Sequence, residues 1–283
     1  MSAAAHFSAA WLAMREPADT AARDASAGPL LARLRAWPRP PGPWRVMDLG
    51  CGTGANLRWL APRLGAAQQW LVLDHDAALL RRWAGQPGWR RAGAGRLGWP
   101  AHGVEVLRRR VDLAQALPDL PWPEGGLVTA SALLDLAGAD WLDQLATRAA
   151  QQRCALLFAL SVDGRQRWTP TLAGDTAIAR RFAAHQRHDK GLGPALGEQA
   201  VAFLARRLRA LGYRVHLAPS DWALGPDAPE LLRALTVGMA EAAIEQDPAQ
   251  RARLLDWRER RLQALPHTRL CLGHQELLAL PPP

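Results

Sequence analysis

The chain has 283 residues, 49% apolar and 22% charged, which suits one elaborated α/β domain or a domain with a small cap. Its formal charge of +9 and pI of about 11.0 raise nucleic acid as a partner, but the basic residues are nearly all arginine and spread through the chain, so nucleic acid is not favoured. Cys51, Cys154 and Cys271 are too few and too scattered for a disulfide framework or a paired-cysteine metal site, and no apolar run is long enough to span a bilayer. With no secretion-type N-terminus, the expectation is a cytoplasmic protein, monomeric or homodimeric, that does not engage a membrane.

Residues 1–43 lie outside the alternating pattern. Ala9 to Arg23 has helical composition, with Pro17 as a kink or restart, and Leu30 to Trp37 reads as a second helix. Arg15, Asp19 and Arg23 share one face of the first helix, as a surface ion-pair ladder or as arginines offered to a substrate anion. The proline-rich stretch 38–43 is a stiff linker. From Trp44 strands and helices alternate: strands at about 44–49 and 69–74, a third from Val104, a fourth from Leu127 and a fifth from Cys154 to Val162. Residues 85–103 read as an irregular connection. Such alternation predicts a parallel sheet with helices on both faces. Residues 163–197 break the pattern and are too long for an ordinary connection, which predicts a functional loop. A helix over Leu196 to Leu211, a sixth strand at 213–218, helices at about 228–246 and 249–264, and a last strand from Thr268 to Leu280 with Gly273 as a bulge complete the chain.

The chemistry concentrates where the first strand ends. Asp48-Leu49-Gly50-Cys51-Gly52-Thr53-Gly54 runs from an acid through a glycine turn into a helix that begins near Asn56, and the second strand ends in Asp74-His75. This is a strand, glycine loop, helix, strand, acid unit of the nucleotide-cofactor kind. The glycine spacing loosely fits a dinucleotide fingerprint, so a nicotinamide-dependent oxidoreductase is one reading. Asp48 argues against it, because a carboxylate at the turn would repel a pyrophosphate and is suited to an ammonium group. Amides at the helix start would take a carboxylate, and Asp74 a ribose diol.

Asp48 to Gly54 resembles the cofactor motif of class I S-adenosylmethionine-dependent methyltransferases. Asp74 matches that family's ribose acid, and Asp112-Leu113 its adenine-contacting segment after the third strand. The resemblance implies S-adenosyl-L-methionine as cofactor, held by Asp48, Gly50, Cys51, Gly52, Thr53, Gly54, Asn56, Asp74, His75, Asp112, Leu113 and Ser131. It also implies an α/β, Rossmann-like, seven-stranded and mostly parallel sheet with a reversed last strand. On that expectation 1–43 is a helical cap, 44–283 the methyltransferase domain, and insertions lie at about 163–197 and 222–266.

The family does not specify the methyl acceptor. Ser131-Ala132-Leu133-Leu134-Asp135 stands where base-nitrogen methyltransferases carry a proline-rich aromatic segment, so a small-molecule O or N acceptor is expected. Ser131 and Asp135 are equally a strand end and a helix cap. In His185-Gln186-Arg187-His188-Asp189-Lys190, Lys190 is the only lysine of the chain, and His185 or His188 could act as a base near neutral pH. These three are candidate catalytic residues, against a solvated loop as the plain reading. Three ligands in five residues make poor metal geometry, so no metal is expected. Arg15, Arg23, Asp135 and Trp222 are candidate substrate contacts. An RNA methyltransferase and a non-catalytic, methyltransferase-like binding protein are the remaining alternatives.

Overall fold

The computed structural model describes residues 7–93 and 95–283. Strands β1 (Trp44–Leu49) and β2 (Gln68–Asp74) pair in parallel at the centre of the sheet. The short hairpin β3 (Arg90–Arg91) and β4 (Arg96–Trp99) precedes β5 (Val104–Arg110), which pairs in parallel with β2. On the other side of β1 lie β6 (Leu127–Ser131) and β7 (Ala155–Thr169), also parallel. Consecutive strand residues serve opposite faces, and helices cover both. Val46 meets Leu30 and Leu34 of α2 (Gly28–Ala36) and Leu57 and Leu60 of α3 (Ala55–Leu64) in one core. Met47 and Leu49 meet the opposite core, with Leu142 and Leu145 of α6 (Ala139–Gln151) and Leu204 of α8 (Ala200–Ala210). Short helices α4 (Ala77–Arg82) and α5 (Leu113–Ala116) follow β2 and β5, each capped by an aspartate, Asp76 and Asp112.

Beyond β7 the sheet turns antiparallel. β10 (Arg269–Leu280) runs between β7 and β8 (Arg214–Pro219), antiparallel to both, so the last strand is reversed as expected. Its register shifts between Leu272 and His274, at the bulge read at Gly273.

Several expectations are corrected. Among the described residues the sheet has ten strands rather than seven, in part because 85–103 is not irregular throughout. There Trp89 stacks on Trp99 with ring centroids 5.4 Å apart, and β4 covers the edge of β5. The short β9 (Trp222–Leu224) adds a further pair on β10. The fifth strand continues through polar residues to Thr169, since β10 satisfies its backbone and solvent takes its alternate side chains. Nor is 163–197 a long loop. It contains α7 (Asp175–Gln186), packed with α9 (Pro229–Gln246) and α10 (Arg251–Ala264) around Trp168, Ile178, Leu232 and Trp257. The buried Arg261 of α10 ties this layer together by pairing with Asp175 at 2.6 Å. Finally, α1 (Ala9–Ser26) passes through Pro17 without interruption. Ion pairs flank it, Glu16 with Arg58 and Asp19 with Arg15, and hold the helix on both sides of the proline.

Candidate active site

The glycine loop between β1 and α3 is built by contacts that leave no room for side chains. Gly50, Gly52 and Gly54 all have positive φ. At Gly54 a Cβ would lie 2.7 Å from the ring of the buried Trp83, whose indole N–H donates to the Gly52 carbonyl at 2.9 Å. Asp74 clamps the loop to β2: its Oδ2 accepts from the Gly52 amide and its Oδ1 from the Asp76 amide, each at 2.8 Å. The first-turn amides of α3 receive no capping side chain, because the N-cap is Gly54.

Beneath the loop, Asn56 is a hub. Its amide nitrogen donates to Asp48 Oδ1 at 2.8 Å and to Thr129 Oγ1 at 3.1 Å, while its oxygen accepts from Arg23 Nη1 at 2.9 Å. Arg23 also donates from Nε to Glu276 at 3.1 Å and lies 3.6 Å from the centre of the Trp59 ring. Burial pushes the Asp48 carboxyl up to about 7, against the pull of the Asn56 bond and of Arg23.

These elements open onto a cavity of about 860 Å³. Of the residues expected at the cofactor, Gly50, Cys51, Gly52, Thr53, Asn56, Asp74, His75, Asp112, Leu113 and Ser131 line it. Asp48 and Gly54 do not. The ammonium role expected for Asp48 is therefore corrected: its carboxylate is fully buried and reaches the cavity only through Asn56.

Of the residues expected at the acceptor, Arg15 and Lys190 line the cavity, as do Ala132, Leu133 and Leu192. Ala132 holds a φ of +53°, a strained turn that ends β6 at the cavity wall. Lys190 donates to the carbonyls of His185 and Gln186, 3.4 and 3.1 Å away, at the end of α7. Burial lowers its pKa, opposed by Asp135. Asp135 is buried behind the wall with its Oδ1 unpartnered, and burial pushes it up to about 6, while a hydrogen bond from its own backbone, Arg15 and Lys190 pull it down.

Four other candidates are not brought to the cavity wall. His185 bonds Glu245 of α9 at 2.9 Å across the α7–α9 contact, and His188 is exposed beside it. Arg23 is spent on Asn56 and Glu276. Trp222 is buried and donates to Asp19 at 3.0 Å, so it braces α1 instead of walling a ligand. The sequence reading missed Leu12 and Asp19 as cavity residues. Asp19 was visible only as the partner of Arg15 four residues earlier, and that pair does form, at 2.9 Å. Among the described residues no group of three or more His, Cys, Asp or Glu side chains is placed to hold a metal.

A scan against protein-family models and a search of curated proteins return no match. Among solved structures, a cyclopropane-fatty-acyl-phospholipid synthase-like protein from Lactobacillus casei aligns over 99% of this chain and 96% of its own, with a TM-score of 0.53 and 16% identity. The chain has the class I methyltransferase fold. More distant in shape are a methyltransferase from Geobacter sulfurreducens in complex with S-adenosyl-L-homocysteine and a phosphoethanolamine N-methyltransferase from Haemonchus contortus. The first is 15% identical with a TM-score of 0.43 over 90% of this chain and 91% of that one. The second is 14% identical with a TM-score of 0.44 over 98% and 59%. In the class I methyltransferase fold the glycine loop, Asp74 and Asp112 stand together at one edge of the parallel strands, which is where the cavity opens.

Proposed function

We propose that this chain is an S-adenosylmethionine-dependent methyltransferase acting on an oxygen or nitrogen atom of a small-molecule acceptor. The observation that carries the reading is a single cavity lined both by the acid-clamped glycine loop and by the cations Arg15 and Lys190. The donor set suits the cofactor. The uncapped amides of α3 fit a carboxylate, Asp74 retains lone pairs for a ribose diol, and Leu113 offers an apolar face for adenine. When bound, S-adenosylmethionine supplies a methyl group already activated on a positively charged sulfur. The protein must then orient the acceptor, exclude water and accept a proton. Leu12 and Leu133 close over the loop, at 3.1 and 3.3 Å from where Cβ atoms of Gly52 and Gly50 would stand, and help to exclude water. Arg15 and Lys190 are the groups suited to orient a polar or anionic acceptor.

The reversed β10 between β7 and β8 departs from the all-parallel order of dinucleotide-binding folds, which disfavours the nicotinamide reading. No described helix is long and apolar enough to cross a membrane. Calorimetry with S-adenosylhomocysteine and with NAD, each alone, tests the proposal. Binding of NAD without S-adenosylhomocysteine overturns it. Binding of S-adenosylhomocysteine without labelled methyl transfer to any fraction of a small-molecule extract favours the non-catalytic alternative.

A further inference from the structure

The densest buried charge starts at the cavity wall, with Arg15 and Asp19, and continues behind it. From α1, Arg15, Asp19 and Arg23 face it; β1 supplies Asp48 and β10 supplies Glu276. Asp74 of β2 acts on it from the cavity side, and the loop contributes the Cys51 thiol, which burial pushes well up. The elements α3 and β6 offer only neutral Asn56 and Thr129. Behind the wall, the fully enclosed carboxylates Asp48 and Glu276 meet a single guanidinium group, that of Arg23. If all ionise, one negative charge is left uncompensated in a dry interior, which is strongly unfavourable.

Geometry decides which acid is left over. Asp19 is gripped by Arg15 through two hydrogen bonds of 2.9 and 3.1 Å. Glu276 is paired with Arg23 at 3.1 Å. Asp48 touches no cation: its one hydrogen bond comes from Asn56, and its Oδ2 is enclosed without a partner.

We infer that Asp48 holds a proton in the free protein and releases it when the methyl donor binds, so that this buried residue, acting through Asn56, ties donor affinity to pH. The inference rests on the proposed function, because the trigger is the positive charge of a methionine-type ligand. Such a charge beside Asn56 favours the anion of Asp48. The ionised carboxylate in turn strengthens the Asn56 bond, which becomes charge-assisted, and fixes the start of α3. Linkage is reciprocal: if the ligand expels the proton, removing the proton tightens the ligand. The upward displacement of Asp48 by burial agrees with the charge count.

The test is calorimetric titration with S-adenosylhomocysteine from about pH 5.5 to about pH 8.5 in two buffers of different ionisation enthalpy. Affinity is expected to rise roughly tenfold between about pH 6 and pH 8, with close to one proton released per ligand near the lower end. Asp48→Asn should flatten the profile and abolish the release. Glu276→Gln should move the step to lower pH, because Arg23 is then free to neutralise Asp48. The carboxyl carbon resonance of Asp48, followed without ligand, gives a readout independent of the donor and should titrate near neutrality. Titration of that resonance near the ordinary aspartate value overturns the inference, as does an unchanged step in Asp48→Asn. Ligand binding with a flat profile overturns the linkage alone, whereas no binding at any pH overturns the donor reading and the linkage with it.

Discussion

Gly54 stands at the N-cap of α3 with φ at +90°, and the Trp83 ring occupies the place of its Cβ. An alanine there meets both backbone strain and a rigid, buried wall. Gly54→Ala is expected to cost about 2–4 kcal/mol in urea unfolding and to weaken S-adenosylhomocysteine binding. Gly65→Ala is the control for the wall, since its φ is +64° and its ψ −177° but nothing lies within 4 Å of the added carbon, so only backbone strain of about 1–3 kcal/mol should appear, with S-adenosylhomocysteine binding unchanged. Lys190 carries the second prediction at this scale. Its ammonium donates to two carbonyls at the end of α7 and keeps a third proton for the cavity, an arrangement a planar guanidinium cannot copy. Lys190→Met and Lys190→Arg should both lower kcat/KM for the acceptor on the order of tenfold while leaving S-adenosylhomocysteine affinity unchanged. Lys190 was legible in the sequence because it is the chain's only lysine. His185 and His188 stood out by residue type alone, and neither lines the cavity: His185 bonds Glu245 of α9, and His188 is exposed.

At the scale of the element, α1 fastens over the loop and the antiparallel edge at once. Glu16 pairs with Arg58 of α3 at 2.6 Å, Asp24 accepts from the Trp59 indole at 2.9 Å, and Arg23 reaches Glu276 of β10. Its helical nature was readable in composition, but its depth was not. Charged residues at helical spacing normally mark a solvated face, and only the partners on β10, some 250 residues later, show that this face is buried. Arg23→Met leaves the Glu276 carboxylate without its cation in the interior and should cost about 3–5 kcal/mol. Adding Glu276→Gln removes the stranded charge, so the double variant should recover part of the loss. A double-mutant cycle in urea measures that coupling, and simple additivity would count against a shared network.

For the whole molecule, the parallel centre was legible because each strand there is a short apolar run between turn signals, a pattern that survives without knowledge of partners, whereas the reversed edge was implied by the family resemblance alone. The polar half of β7, the β3–β4 hairpin and α7 were not legible, because each is stabilised by a neighbour distant in sequence: β10, β5 and the layer of α9 and α10. Burial of so many polar groups between these layers has a global consequence. Asp48 is raised from 3.8 to about 7 and Asp135 from 3.8 to about 6, while Asp19 and Glu276 are also raised, all chiefly by desolvation. Between pH 4 and 7 the folded chain therefore holds protons that the unfolded chain has lost, and stability must fall as pH rises through that window. His274 works the other way. Burial and Arg15 lower it from 6.5 to about 4, so its contribution is lost as pH falls across that range. Burial lowers His216 as well, but Asp48 and Asp135 together outweigh the two histidines and leave a net decline from about pH 5 to pH 7, at up to roughly 1.4 kcal/mol per unit for each fully buried group. Urea midpoints across that range should show it. Asp48→Asn should flatten the upper part of the decline and Asp135→Asn the part nearer pH 6, whereas a wild-type midpoint that climbs steadily from pH 5 to pH 7 would mean that these carboxyls are solvated and already ionised at acidic pH.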